Sequence, residues 1–507
     1  MNKFTEQVVL IVLDGWGYTE TTEHNGIFEA QTPYFDYLWQ NFPHSLLEAS
    51  GEAVGLPNGQ MGNSEVGHTI IGAGKIVNTD LVKISKSIER NEFNQNSAFL
   101  ELFNHIKKHN STLHVQGLIG HGGVHSHSQH LFAFLKAAKE SGIEKIAIHI
   151  FTDGRDSAPQ SAGEYIKELE NILKEIGIGF IATASGRFYA MDRDNNWDRL
   201  TKTEQAIFHG TAKSIQTNNP SQIIEELYKD GIVDEHIEPI IFLDENGKNY
   251  TISDNDGILF FNFRKDRSRM LSQKILDQKK NKNLCFVTMT EYDKNFDCLV
   301  AFPPEEINTT LAKEISEAGL DQAHIAETEK FAHVTYYFNG GRQTPYKNEK
   351  QILIDSRKDI QTHDQAPQMK AREIAEKSTE EIKNHTNFIL INFANPDMIG
   401  HTANKKALLE SLSFMDKQLE KVVKEAINHN YKIIVTADHG NAEIYFDSNS
   451  NEKHTAHTTN KVPFIIIDQD KKSVRDGGLA DIAPTILELL NIKKPEEMTG
   501  QSIFVLK

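Results

Sequence analysis

Short, nearly continuous apolar runs recur along this chain, and no other feature restricts its fold as tightly. They include Val8–Leu13, Leu113–Leu118, Ile146–Phe151, Phe180–Ala184, Ile258–Phe263, Leu284–Met289, Phe388–Phe393 and Ile433–Thr436. Runs that are β-branched and apolar at successive positions suit strands covered on both faces, as in a parallel sheet. Stretches with helical spacing lie between them, among them Gly163–Ile176, Ala407–Asn428 and Leu479–Leu490. This alternation predicts an α/β fold of mostly parallel sheets flanked by helices. At roughly 100–200 residues per domain, the length allows two to four domains. Such a chain can bury a core that needs no disulfide or metal staple. Cys285 and Cys298 are the only cysteines, which excludes a disulfide framework and suits a reducing compartment. No apolar run approaches the ~18 residues of a membrane span. Val8–Leu13 is too short for an export signal, so a cytoplasmic protein is expected. The formal charge of −17 argues against general nucleic-acid binding but leaves small anionic ligands open.

The apolar runs give way to polar and charged residues at their carboxyl ends. Val8–Leu13 ends in Asp14-Gly15, Ile146–Phe151 in Thr152-Asp153-Gly154-Arg155-Asp156, and Phe180–Ala184 in Ser185-Gly186-Arg187. Ile258–Phe263 runs into Arg264-Lys265-Asp266-Arg267, Phe388–Phe393 into Ala394-Asn395-Pro396-Asp397, and Ile433–Thr436 into Ala437-Asp438-His439-Gly440. Open α/β sheets bind ligands beyond the carboxyl ends of their strands. Aspartates and histidines gather near both termini, whereas seven of the twelve arginines fall between Arg155 and Arg269. If the terminal clusters form one site, the chain must leave that domain and return. The expected layout is a discontinuous domain of residues 1–77 and 308–507, with a second α/β domain, 78–307, inserted in it.

Asp397 and His401 are four residues apart and can share a helix face toward one ion. Asp438 and His439 are adjacent at a strand end, and His454 and His457 come later. Carboxylate oxygen with imidazole nitrogen suits a divalent ion such as Mn²⁺ or Zn²⁺. Five or six such ligands exceed one tetrahedral site, so two ions are expected. The plainer alternative is surface histidines and helix-capping aspartates. The segment Gly62-Asn63-Ser64-Glu65-Val66-Gly67-His68 presents a serine that a divalent ion could activate as a nucleophile. It reads equally well as a turn or helix cap. Arg155, Arg187, Arg193, Arg264 and Arg267 come from three strand ends, and guanidinium forks bind carboxylate and phosphate. Their alternative is salt bridging to Asp156, Asp192, Asp194 and Asp266. The tract from His121 to His127 fits either a metal site or a glycine-rich loop that offers one histidine to a substrate.

These motifs, in this order, closely resemble the 2,3-bisphosphoglycerate-independent phosphoglycerate mutases of the alkaline phosphatase superfamily. The likeness runs from Val9 to Leu487. It takes in Leu13-Asp14-Gly15-Trp16-Gly17, the Ser64 segment, Gly122-Gly123-Val124-His125-Ser126-His127, Asp153-Gly154-Arg155-Asp156 and Ser185-Gly186-Arg187. It continues through Met191-Asp192-Arg193, Glu327-Thr328-Glu329-Lys330, Asn395-Pro396-Asp397-Met398, Thr436-Ala437-Asp438-His439-Gly440-Asn441 and Ala456-His457-Thr458. Three positions depart from the family: Gly120-His121 replace the usual Ser-Asp, and Lys265 replaces a small residue.

The resemblance implies an alkaline-phosphatase-like domain carrying the insert, and an isomerase that interconverts 3-phosphoglycerate and 2-phosphoglycerate in glycolysis and gluconeogenesis. It implies two Mn²⁺ ions per chain, with Zn²⁺, Co²⁺ or another divalent ion as alternatives. One ion would sit on Asp14, Ser64, Asp438 and His439, the other on Asp397, His401 and His457. Ser64 becomes the phosphorylated nucleophile. His125, Arg155, Asp156, Arg187, Arg193, Arg264, Arg267 and Lys330 become substrate contacts, with Asp156 carrying protons and Lys330 neutralising the transferred group. The expected partner is the small-molecule substrate, with no nucleic acid or membrane, and the expected state is a monomer. The rivals are a metal-dependent phosphatase or phosphopentomutase on the same scaffold, and a metal-storage or interaction protein suggested by the 22 histidines.

Overall fold

The run Val8–Leu13 forms a strand buried at every position, and it lies between two parallel neighbours, Phe388–Phe393 and Lys432–Thr436. The computed structural model of the chain describes residues 6–448, 450–468 and 473–505. The chain divides into two compact units, with crossings between Thr79 and Asp80 and between Glu305 and Glu306.

The unit that holds both ends of the described chain is built on an eight-stranded sheet. Its order is Glu349–Ile354, Gln322–Glu327, Phe388–Phe393, Val8–Leu13, Lys432–Thr436, Val462–Ile467, His44–Glu48 and Gly477–Gly478. Pairing is parallel through Lys432–Thr436, and Val462–Ile467 runs antiparallel to both of its neighbours. Val12 lies opposite Asn392 on one side and Thr436 on the other, so three strands end at the same edge. Asp14, Asp397 and Asp438 leave from that edge.

The second unit also has eight strands, ordered Leu299–Phe302, Cys285–Thr290, Gly257–Phe260, Leu113–Leu118, Ile146–Thr152, Phe180–Gly186, Ile240–Leu243 and Lys213–Gln216. All pairs are parallel except Phe180–Gly186 with Ile240–Leu243. Ile258 and Phe260 join one apolar cluster and Leu259 joins another, as expected of a strand buried on both faces.

Both sheets are mostly parallel and flanked by helices, as the apolar runs predict. Several element boundaries differ, among them the following three. The strand expected over Ile258–Phe263 spans Gly257–Phe260. Beyond it the Asn262 side chain accepts from Leu118 N at 2.8 Å, so a side chain ends the ladder. The helix expected over Ala407–Asn428 begins at Lys405, capped by Asn404, whose side chain accepts from Ala407 N. The stretch Leu479–Leu490 opens as a 3₁₀ turn, Leu479–Asp481, before the helix Ile482–Leu489.

Candidate functional site

Strand ends bring one cluster together in the unit that holds the described termini. Asp14 comes directly after its strand, Asp438 lies just beyond Lys432–Thr436, and Asp397 lies in the short helix Asn395–Gly400. Gly15 makes this approach possible. Its φ is +77°, and a Cβ there would lie 2.8 Å from the Asp397 Cα. Gly67 plays the same part beneath Asp438, whose carbonyl oxygen would lie 2.7 Å from an added Cβ. Ser64 is the first residue of the helix Ser64–Ala73, and the Asn63 side chain caps it by accepting from Val66 N. A hydroxyl at a helix N-terminus meets the positive end of the helix dipole, which favours an anion there.

The Ser64 hydroxyl donates to Asp14 Oδ1 at 3.2 Å and lies 2.9 Å from His439 Nε2. Lys330 Nζ donates to Ser64 Oγ at 2.7 Å and to Asp397 Oδ2 at 2.6 Å, and it lies 2.6 Å from Asp14 Oδ1. Burial disfavours the charged lysine, but Asp14, Asp397 and Asp438 outweigh it and hold the ammonium firmly protonated. Burial also acts against Asp397 and Asp438 as anions. Lys330 and the two histidines facing Asp397 hold its carboxyl well below the usual range, and His439 and His68 do the same for Asp438. Asp14 is pushed up, by burial and then by the charge of Asp438.

A second group adjoins the first. His401 Nε2 and His457 Nε2 each lie 3.2 Å from Asp397 Oδ1 and 3.1 Å from each other. His401 Nδ1 faces Thr455 O at 2.7 Å, and His457 Nδ1 faces Gly62 O at 2.8 Å. Those carbonyls take the Nδ1 hydrogens, so two bare Nε2 lone pairs and a carboxylate oxygen converge. Such a donor set calls for a cation. Two of the His/Asp groupings close enough to hold an ion are Asp397 with His401 and His457, and Asp14 with Asp397 and His439. His454 belongs to none of these groupings among the described residues.

Sequence patterns alone did not point to several residues that hold this cluster. Asn392 donates to Asp14 Oδ2 at 2.7 Å, and the same nitrogen lies 3.1 Å from His68 Nε2. His68 Nδ1 lies 2.9 Å from Ser64 O and 3.1 Å from Asp438 Oδ2. Asn441 donates to Asp397 Oδ1 at 2.8 Å. Glu443 accepts from Gly17 N, Asn441 N and Asn460 Nδ2, and also from Thr458 Oγ1. An available signal was polarity inside apolar runs: Asn392 is fully buried within Phe388–Phe393.

The second unit gathers the predicted anion-binding residues at its own strand ends. Buried Arg187 pairs with Asp153, donates to Asp156 Oδ2 at 2.7 Å, and reaches His125 Nε2 at 3.0 Å. Burial, and then the Arg187 charge, push His125 down to about 4, so it stands neutral with Nε2 as an acceptor. Arg193 Nη1 and Arg264 Nε lie 3.1 and 3.0 Å from Asp266, and Arg267 donates to Met191 O at 3.0 Å. Arg267 is pulled down by burial and then by the charges of Arg187, Arg193 and Arg155, so four guanidiniums share one field. Arg155 is half exposed and lies 3.5 Å from Glu235. The salt-bridge alternative is also realised, since Asp156 and Asp266 each pair with these arginines. His121 turns to Glu168 instead, at 2.8 Å.

A family model described as "BPG-independent PGAM N-terminus" matches residues 84–294, and one described as "Type I phosphodiesterase / nucleotide pyrophosphatase" matches residues 267–497. A curated 2,3-bisphosphoglycerate-independent phosphoglycerate mutase from Clostridium botulinum is 45% identical over 505 residues, covering 98% of this chain and 99% of the relative. The chain belongs to the 2,3-bisphosphoglycerate-independent phosphoglycerate mutases. A relative of that name from Methanosarcina barkeri, numbered 1 there, is 44% identical over 515 residues, with 100% of this chain and 99% of the relative covered. A crystal structure of Leishmania mexicana phosphoglycerate mutase, determined at low cobalt concentration, aligns with a TM-score of 0.59 at 29% identity. It covers 99% of this chain and 98% of that one. Phosphoglycerate mutases of this kind are isomerases, and membership makes this chain one.

Proposed function

We propose that the chain interconverts 3-phosphoglycerate and 2-phosphoglycerate through a phosphoserine on Ser64, with two divalent ions bound. The observation that carries this is the surroundings of one hydroxyl: Ser64 Oγ lies at a helix N-terminus within 3.2 Å of Asp14, His439 and Lys330. Asp14, Ser64, Asp438 and His439 would hold one ion, and Asp397, His401 and His457 the other. When bound, such ions lower the pKa of a coordinated hydroxyl and neutralise phosphoryl charge. The donors are carboxylate, imidazole and hydroxyl with no thiolate, which supports Mn²⁺ and admits Zn²⁺ or Co²⁺.

The chain's own residues do the rest. Ser64 Oγ forms a bond to phosphorus as the bond from phosphorus to the substrate oxygen breaks, and the serine proton passes to Asp14 Oδ1, the oxygen to which the hydroxyl already donates. Lys330, kept charged by its carboxylate neighbours, neutralises the transferred phosphoryl oxygens. Arg155, Arg187, Arg193, Arg264 and Arg267, with His125, grip the carboxylate and hydroxyls of glycerate, and Asp156 carries the hydroxyl proton. The other glycerate hydroxyl then accepts the group and frees Ser64. The two domains thereby divide the work: metals and nucleophile on the unit that holds the described termini, substrate grips on the insert.

We place this enzyme in the cytoplasm as a monomer acting on a small molecule. The two free cysteines suit a reducing compartment. No helix among the described residues is long and apolar enough to cross a membrane. The test is incubation with Mn²⁺ and 3-phosphoglycerate. The expected product is 2-phosphoglycerate, and free phosphate as the main product would favour a phosphatase.

A further inference from the structure

A cavity of about 580 Å³ lies in the second unit. Leu227, Ile232, Ile237, Pro239 and Ile240 supply apolar walls, and Thr201, Lys202, Gln205, Lys213 and Glu238 supply polar groups. An apolar pocket of this size with a few converging polar groups is the usual form of a small-molecule site. Lys202 and Glu238 cancel each other, with Nζ 2.7 Å from Oε1. Among the described residues, no hydrogen bond or ion pair engages the side chains of Lys213, Gln205 and Thr201. The polar groups therefore carry one surplus positive charge and unspent donors.

One wall of the cavity also supports the anion-binding loops. Residues 232–240 line the cavity with Ile232, His236, Ile237, Glu238, Pro239 and Ile240. The same segment holds the Arg155 and Arg187 loops. Asp234 O accepts from Thr152 Oγ1 at 2.7 Å, Ile237 O accepts from Gly186 N at 2.7 Å, and Glu235 lies 3.5 Å from Arg155. The fit is tight, because a Cβ on Gly186 would come 2.3 Å from Glu235 O. A ligand that shifts this segment from the cavity side therefore has a short physical route to the Arg155 and Arg187 loops.

We propose that this cavity binds an amphipathic monoanion, an apolar body bearing one carboxylate or sulfonate. Its occupancy alters how Arg155 and Arg187 hold substrate, a consequence that rests on the substrate role proposed for them above. The full chain is titrated with anilinonaphthalene sulfonate, and the bound dye is displaced with octanoate or octanol. One saturable site is expected, with octanoate displacing at about ten-fold lower concentration than octanol. Lys213→Glu, an exposed change, should remove that preference, and Ala212→Trp should fill the cavity and abolish binding. Saturating octanoate should then shift KM for 3-phosphoglycerate at least two-fold, with kcat and metal content unchanged. Dye binding unaffected by both variants, or octanol equal to octanoate, would overturn the site. An unmoved KM would overturn the coupling. Dye binding needs no turnover, so an absence of isomerase activity would count against the proposed function and leave the binding result to stand by itself.

Discussion

His401 and His457 point their Nε2 atoms at each other across 3.1 Å, with Asp397 Oδ1 at 3.2 Å from both. Without a cation, a proton must fill that gap. Asp397 pulls both histidines up against the effect of burial, which is the larger opposing influence at His457. Metal binding must therefore displace protons, and affinity falls as pH falls. Metal content and activity should drop together as pH passes below about 6.5, histidine's ordinary value. Activity that stays flat from about pH 8 to pH 5 would contradict this. His457→Ala should leave one tightly bound ion by elemental analysis. At ion concentrations of about 100 times Kd, removal of each ion by chelator should cost about 2.7 kcal/mol of stability.

Among the described residues, Lys330 is the one lysine or arginine that touches both Asp14 and Asp397. Lys330→Met leaves those buried carboxylates without their ammonium. Breaking a buried pair in this way costs about 3–5 kcal/mol. The loss should appear in urea unfolding with chelator present and shrink when Mn²⁺ is added, while turnover stays abolished. Equal destabilisation with and without metal would mean that the ions and the lysine do not share the same carboxylates.

Arg264 pairs with Asp266 in the second unit, whereas the Asp14 cluster belongs to the other. Arg264→Ala should raise KM for phosphoglycerate at least ten-fold, the loss of about 1.4 kcal/mol of substrate binding. Bound metal should be unchanged. Loss of metal in this variant would show that the two clusters are not separate in role.

Glu327 is buried at the end of its strand, with Ser356 Oγ donating to Oε2 at 2.9 Å and Oε1 unpartnered. Burial pushes its carboxyl up to about 7 from 4.5. The folded state therefore binds the extra proton between those values. The stabilising contribution is complete below about 4.5 and is lost as pH rises through about 7. Glu327→Gln should stabilise the protein by about 1–2 kcal/mol at pH 8, with the gain fading toward pH 4.5. A gain independent of pH in denaturant unfolding would refute the assignment.

Much of the fold was legible because buried parallel strands announce themselves as apolar runs and place their ligands just beyond. Val8–Leu13 and Phe388–Phe393 form strands with the limits read from the sequence. Strands that are half exposed or interrupted by proline gave a weaker signal. Glu349–Ile354 sits at a sheet edge with polar residues in its first half, and the fully buried Val462–Ile467 is interrupted by Pro463 and joins its sheet antiparallel. The Asp14, Ser64 and Asp397 neighbourhood could be anticipated from motifs, but its support could not. His68 lies one helical turn from Ser64, a spacing that could have flagged it, whereas Glu443 meets Gly17 only through the fold. The cavity beside residues 232–240 left no trace in the sequence, since its walls come from several separate elements of the second unit.

If the Ser64 hydroxyl carries the phosphoryl group between the two glycerate oxygens, it must be esterified during turnover. The protein loaded with Mn²⁺ should be mixed with radiolabelled 3-phosphoglycerate, quenched in acid within one turnover, and mapped by peptide mass spectrometry. Label is expected on the peptide containing Ser64, chased into 2-phosphoglycerate when quenching is delayed and absent from Ser64→Ala. Label on any other residue, or turnover that persists in Ser64→Ala, would contradict that role for Ser64.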